Sequence, residues 1–298
     1  MKSYQKIVVA INYTESSRNA LKQARQIAAQ SGASIRAFHA VPPVTLNEFL
    51  SFYLIPHDIM MTTALSGLET FVEETLGPDH GVPCFVAEGK PHQAVVAFVQ
   101  ESQADLLILG TDEYTNKPHN SGQFAIKCLR HTAIPVLLVR NHLESPFTRL
   151  TACVDFSKST TQILEHTARF TVDTDQVVEI AHASCPPWLH PPYLRYQTEV
   201  FENRDVKEQY HELIDGQMGS IQKLATDLLK KTPLTIKLEH EDTKIALIDH
   251  LEEAQSDLAI LGHWGTGAHG LKTKLLGGTS EALIRYAHCS ILIVPVTP

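Results

Sequence analysis

Two stretches of the chain carry nearly the same text. One is Ala104-Asp105-Leu106-Leu107-Ile108-Leu109-Gly110, and the other is Ser256-Asp257-Leu258-Ala259-Ile260-Leu261-Gly262. In each, an unbroken apolar run follows an acid and ends on glycine. A short continuous run, without polar alternation, is the pattern of a strand covered on both faces. Such strands belong to parallel sheets roofed by helices.

The likeness extends outward in both directions. Lys6–Asn12 matches Arg149–Asp155, and Ile35–Ala40 matches Val178–Ala183. Ile134–Val139 matches Cys289–Val294 at the far end. The offsets along the chain are 143, 143, 152 and 155 residues, so the second copy carries small insertions. A two-copy repeat of this length is a duplicated domain, not a solenoid. The expected domains are 1–142 and 147–298, joined near Asn141–Pro146, a short polar segment ending in Ser-Pro.

Helix-period segments alternate with the apolar runs. In copy one, Thr14-Glu15-Ser16-Ser17 offers N-caps, Ala20, Leu21, Ala24, Ile27 and Ala28 share a face, and Gly32 can close the helix. In copy two, Ser157-Lys158-Ser159 precedes Ile163, Leu164, Thr167 and Ala168. Each copy therefore reads as an alternating β-α unit. The expected fold class is α/β, as two tandem doubly wound domains.

Composition bounds the function. The chain has 298 residues, 43% apolar and 19% charged, with a net charge of −8. That is enough apolar material for two cores. An acidic chain has no general attraction for nucleic acid or anionic lipid, so neither partner is expected. No apolar run reaches the length of a spanning helix. The opening Met1-Lys2-Ser3-Tyr4 leads into a strand-like stretch without a signal-peptide core. The cysteines Cys84, Cys128, Cys153, Cys185 and Cys289 are odd in number and form no C-x-x-C pair. A reducing, cytoplasmic setting is the expectation.

In open α/β sheets, ligands bind beyond the carboxyl ends of strands. Two segments of copy two fall there. Asp155 follows the first strand, where an acid serves either ribose hydroxyls or a metal, or caps the next helix. After the fourth strand, Gly262–Glu281 holds six glycines: Gly262, Gly265, Gly267, Gly270, Gly277 and Gly278. Glycine lets backbone N–H groups curl round an anion, and Gly277-Gly278-Thr279-Ser280 opens a helix whose positive end favours phosphate. Lys272 and Lys274 add charge in this loop. Gly265–Gly270 fits G-x-G-x-x-G in letters only, because that fingerprint belongs to a first β-α-β unit. The sequence contains neither a P-loop nor a G-x-S-x-G elbow.

Two further features stay open. Val44–Leu65 in copy one is unusually apolar and reads either as helices packed against the other copy or as a groove for an apolar ligand or partner. The chain has 16 histidines. Cys128 and His131, and His263 and His269, are candidate metal pairs without a supporting motif, so the metal assignment is unknown.

On these residues both copies resemble the universal stress protein domain, over about 4–140 and 148–296, and the chain resembles its tandem class. The strongest local likeness runs from Ser256-Asp257-Leu258 through Gly262 and Gly277 to Glu281-Ala282-Leu283-Ile284-Arg285. The resemblance implies a five-stranded parallel sheet per domain, order 3-2-1-4-5, and a pseudo-dimer made by one chain, alone or in a homodimer. It also implies an adenine nucleotide, ATP or ADP/AMP with Mg or Mn, between the first- and fourth-strand loops. Asp155 matches the ribose-side acid and Ala183 the position facing adenine, while Gly262 and Gly265 match the first glycine pair of G-x2-G-x9-G-[ST]. Gly277 matches the third glycine, but eleven residues separate it from Gly265, and Gly278 stands where the hydroxyl belongs, with Thr279 one step later. Gly270 and Ser280 complete the expected binding set. Copy one has Asn12 for the acid, Glu113 for the second glycine, and Gln123 after Gly122, and its Asp112 and Glu113 repel phosphate. A degenerate first site, a nucleotide-binding second site and a role in stress response through binding are the expectations. The rival is a nucleotide-free scaffold or carrier of an apolar metabolite using Val44–Leu65.

Overall fold

The computed structural model describes residues 3–43, 56–111, 122–140, 146–172, 175–189, 204–263 and 276–295. The chain divides into two compact units, one built on Lys2–Pro146 and the other on Phe147–Lys272 with Gly277–Pro298.

The N-terminal unit runs β1 (Lys6–Ala10), α1 (Glu15–Ser31), β2 (Ser34–Val41), α2 (His57–Leu76) and β3 (Cys84–Glu88). It continues with α3 (Pro91–Glu101), β4 (Leu106–Gly110), α4 (Gln123–Leu129) and β5 (Val136–Val139). Its strands are parallel in the order β3-β2-β1-β4-β5. The C-terminal unit repeats this with β6 (Arg149–Cys153), α5 (Ser159–Phe170), β7 (Val177–Ser184), a 3-10 turn at Pro187–Leu189 and α6 (Arg204–Leu229). There follow β8 (Leu234–Glu239), α7 (Thr243–Glu253), β9 (Leu258–Gly262), α8 (Gly278–Tyr286) and β10 (Ser290–Val294). The order is β8-β7-β6-β9-β10, again parallel and again 3-2-1-4-5. Each half is thus a doubly wound α/β domain whose strand order reverses beside its first strand.

The duplication holds to the register. Val9 pairs with Ala37 on one side and Ile108 on the other. Its counterpart is Ala152, which pairs with Ile180 and Ile260. The acids that open the two quoted stretches are structural. Asp105 accepts from the N–H of Gln5 at 2.8 Å and of Lys6 at 2.9 Å. Asp257 accepts from the N–H of Thr148 and Arg149 and from the Thr148 hydroxyl. Each carboxylate ties the entry of the first strand to the fourth.

Helix ends follow their residues. Thr14 caps α1, accepting from Ser17 N–H, and Gly32 closes it at φ 73. Gln103 and Gln255 end α3 and α7 in the left-handed region, at φ 53 and 50, another matched pair. Leu106–Leu109 and Leu258–Leu261 are all buried, as double-sided strands require. Of the apolar segment in copy one, residues 44–55, with Phe49 and Tyr53, lie outside the described residues. The rest enters α2, where Ile59 is 53% exposed and the buried residues are Leu68, Phe71 and Val72, farther along.

Candidate functional site

In the C-terminal unit the strand ends meet where the strand order reverses. Asp155 follows β6, and its Oδ1 accepts from the N–H of Ser157 at 3.2 Å. Phe156 comes next with φ 59, a left-handed backbone unusual for a bulky residue. Its ring lies on His182, whose Nδ1 is 2.9 Å from the Val154 carbonyl. A ring nitrogen at that distance from a carbonyl donates to it. Burial pushes the His182 pKa down, opposed by that carbonyl and by the Asp155 charge.

At the other strand, the N–H of Gly277 donates to the His263 carbonyl at 3.0 Å, which brings the start of α8 back to the end of β9. Ser280 donates its hydroxyl to the Gly262 carbonyl at 2.8 Å and is buried. That hydroxyl is committed to the fold, so Ser280 has its backbone N–H to offer a ligand. Gly277, the N-cap of α8, supplies no side-chain cap. The first N–H groups of a helix lack internal acceptors, and they carry the positive end of the dipole.

Asp155, Ala183, Gly262, Gly277, Gly278, Thr279 and Ser280 all line one cavity of 590 Å³. Of the residues singled out from sequence, Gly265 and Gly270, with Lys272, Lys274 and His269, lie outside the described residues. The wall also holds Lys244, which sequence reasoning missed. It stands in the first turn of α7, capped by Asp242, which accepts from its N–H at 2.9 Å. A Cβ added at Gly278 would lie 3.7 Å from Lys244 Cε, so this cation reaches the α8 start. The signal was available: Asp242-Thr243-Lys244 opens the helix after the third strand, and that helix begins at the same sheet edge. Cys153 also lines the cavity, but burial pushes its thiol up to about 12, so it remains protonated at neutral pH.

The N-terminal unit has its own cavity of 410 Å³ at the equivalent place. Here Asn12 stands for Asp155, and its side-chain oxygen is turned to Thr14, accepting from the hydroxyl at 2.6 Å. Gln123 and Phe124 occupy the places of Gly278 and Thr279. Gly110 has a packing cause: a Cβ there would fall 2.2 Å from the Ser16 carbonyl oxygen, so α1 could not close on β4.

Among the described residues, no three His, Cys, Asp or Glu converge as metal ligands. Of the Cys128–His131 pair, burial pushes the Cys128 thiol up to about 12, while His131 Nδ1 bonds the Lys127 carbonyl at 2.8 Å. Among the described residues, no helix is long and apolar enough to cross a membrane.

The fold has close counterparts among solved structures. A universal stress protein from Archaeoglobus fulgidus DSM 4304 matches with TM-score 0.63 and 16% identity over 97% of this chain and 98% of its own. A functionally unknown protein from Pseudomonas aeruginosa PAO1 matches with TM-score 0.64 and 14% identity over 99% and 93%. A universal stress protein family member from Arabidopsis thaliana with AMP bound matches 46% of this chain and 92% of its own at 19% identity, TM-score 0.32. No curated protein matches the chain. The model of the universal stress protein family matches residues 3–140 and again 146–295. With one family matched twice along nearly its whole length, the chain belongs to the universal stress protein family as a tandem member.

Proposed function

We propose that the C-terminal half binds one adenine nucleotide and that the protein acts in stress response through this bound state, by binding and not by turnover. The observation that carries the reading is a single cavity walled by Asp155, Ala183 and the uncapped start of α8, with Lys244 beside it. Its volume lies within the roughly 300–1,000 Å³ range of small-molecule sites. The free N–H groups and dipole of α8 suit phosphate, Lys244 adds a cation, and Asp155 is an acceptor suited to ribose hydroxyls. One lysine does not neutralise a triphosphate, so Mg or Mn is expected to accompany ATP. The N-terminal half offers neither the acid nor the glycine-rich helix start, and we assign it no nucleotide.

Calorimetric titration of ATP into the full chain tests this. One nucleotide per chain is expected. Gly277→Val should abolish binding while the fold survives, because Gly277 has φ −62 and ψ 146, which valine adopts freely. Gln123→Ala, at the place of Gly278 in copy one, is the matched control and should leave affinity unchanged. Two sites per chain, or loss of binding in the control alone, would overturn the assignment. No binding at millimolar ATP would favour a nucleotide-free scaffold.

A further inference from the structure

We propose that the N-terminal cavity is a binding site in its own right, for a neutral, largely aromatic small molecule of one or two rings. This stands apart from the nucleotide reading. The cavity sits at the equivalent strand ends, yet its chemistry has been exchanged. Phe38 replaces Ala181, Pro91 replaces Thr243, and Phe124 replaces Thr279. Val95, Leu109 and Pro42 complete the apolar wall. Among the described residues no Asp, Glu, Lys or Arg lines it, whereas Asp155 and Lys244 line its counterpart. Among the described lining residues an anion would find no Lys or Arg to replace its hydration, so this wall favours a neutral guest.

The wall is rigid on one side and open on the other. Phe38 is buried and stacks on Phe98 with centroids 4.5 Å apart, and Phe85 packs against the same ring at 5.0 Å. Phe124 is 39% exposed at the mouth, where copy two has a threonine. Flat aromatic walls favour a flat apolar guest through offset or edge contacts.

A polar handle is also present. Thr111 lines the cavity, and its Oγ1 is buried without a hydrogen-bond partner among the described residues. Its backbone is already used, the N–H donating to the Val139 carbonyl at 2.9 Å. A buried hydroxyl left unpaired is costly, and a ligand carrying one neutral donor or acceptor would satisfy it. The volume of 410 Å³ fits a guest of one or two rings.

The test is fluorescence titration of the full chain with N-phenyl-1-naphthylamine, an uncharged aromatic probe that brightens out of water. Saturable binding at one site per chain is expected. Phe124→Thr, an exposed change that copies the other half, should weaken it at least tenfold, while Gly277→Val leaves it unchanged. Excess ATP should not displace the probe. Methyl NMR gives a second readout: Val95 and Leu109 should shift on probe addition and Leu247, in the C-terminal cavity, should not. The proposal fails if enhancement does not saturate, if Phe124→Thr binds as tightly as wild type, if ATP displaces the probe, or if Leu247 shifts instead of Val95.

Discussion

Phe156 packs against His182 with ring centroids 3.8 Å apart and planes tilted by 32°, and Tyr13 packs against His39 at 4.6 Å and 53° in the matching place of the other half. In both pairs the aromatic residue takes positive φ, 59 and 62. In both, the histidine Nδ1 reaches the carbonyl that precedes the Asp or Asn, Val154 at 2.9 Å and Ile11 at 2.8 Å. A left-handed turn in a bulky residue persists only where its surroundings hold it. The histidine fixes the turn from two sides, by ring contact and by hydrogen bond, and so aims Asp155.

His182→Ala should therefore cost roughly 1–3 kcal/mol in urea denaturation, because the buried Val154 carbonyl loses its donor. Phe156→Gly should cost less, since glycine accepts positive φ without strain. Equal losses in the two variants would separate the turn from the histidine.

Lys244→Ala should weaken ATP binding about three- to tenfold, or roughly 0.7–1.4 kcal/mol, with a smaller effect on AMP. The cation approaches the α8 start from α7, and on the proposed nucleotide reading it would meet the phosphates, whose charge grows from AMP to ATP. Its contribution should shrink as salt is raised. Identical changes for ATP and AMP would place Lys244 away from the phosphate end.

Burial, with Arg169 nearby, pushes the His166 pKa down to about 4. In the unfolded chain the group returns to about 6.5. Between these values the unfolded state binds a proton that the folded state refuses, so stability falls as pH drops through this window. The contribution is present above about pH 6.5 and amounts to up to about 3 kcal/mol lost by pH 4. Denaturation at pH 7 and at pH 5 should show a smaller difference for His166→Gln than for wild type. Parallel losses in the two proteins would remove His166 from the acid sensitivity.

Thiol labelling should be graded. Burial holds Cys128 and Cys153 at about 12, and burial with Glu69 holds Cys84 at about 11. Cys289 is buried as well. At pH 8 an aromatic disulfide reagent should react first at half-buried Cys185 and slowly elsewhere, and guanidinium should release all five. Fast reaction of three or more thiols in the native protein would contradict this burial.

Much of the fold was legible because buried parallel strands leave unbroken apolar runs, and duplication wrote each run twice. Leu106–Gly110 and Leu258–Gly262 mark the same strand, and Thr14 and Gly32 mark a helix through their own capping chemistry. The site was legible in part. Asp155 and Gly277–Ser280 follow strands in sequence, so their gathering at one edge could be read from topology. Lys244 was passed over although Asp242-Thr243 marks a helix start at that sheet edge; the nearness of the α7 start to the α8 start is a contact between segments that the sequence alone does not give. The His182 and Phe156 pairing escaped for the same reason. Asp257 has a use that only the fold shows, since its carboxylate closes the strand entry with three hydrogen bonds.

The Gly110 contact sets a rule for redesign. Because a side chain at that point would collide with the Ser16 carbonyl 2.2 Å away, the position is closed to engineering whatever ligand is wanted. A library that retunes the N-terminal pocket should vary Phe124, Gln123 and Thr111 and leave Gly110 fixed. By the same token, scoring that glycine as a nucleotide contact would credit the half with a chemistry that its backbone does not need.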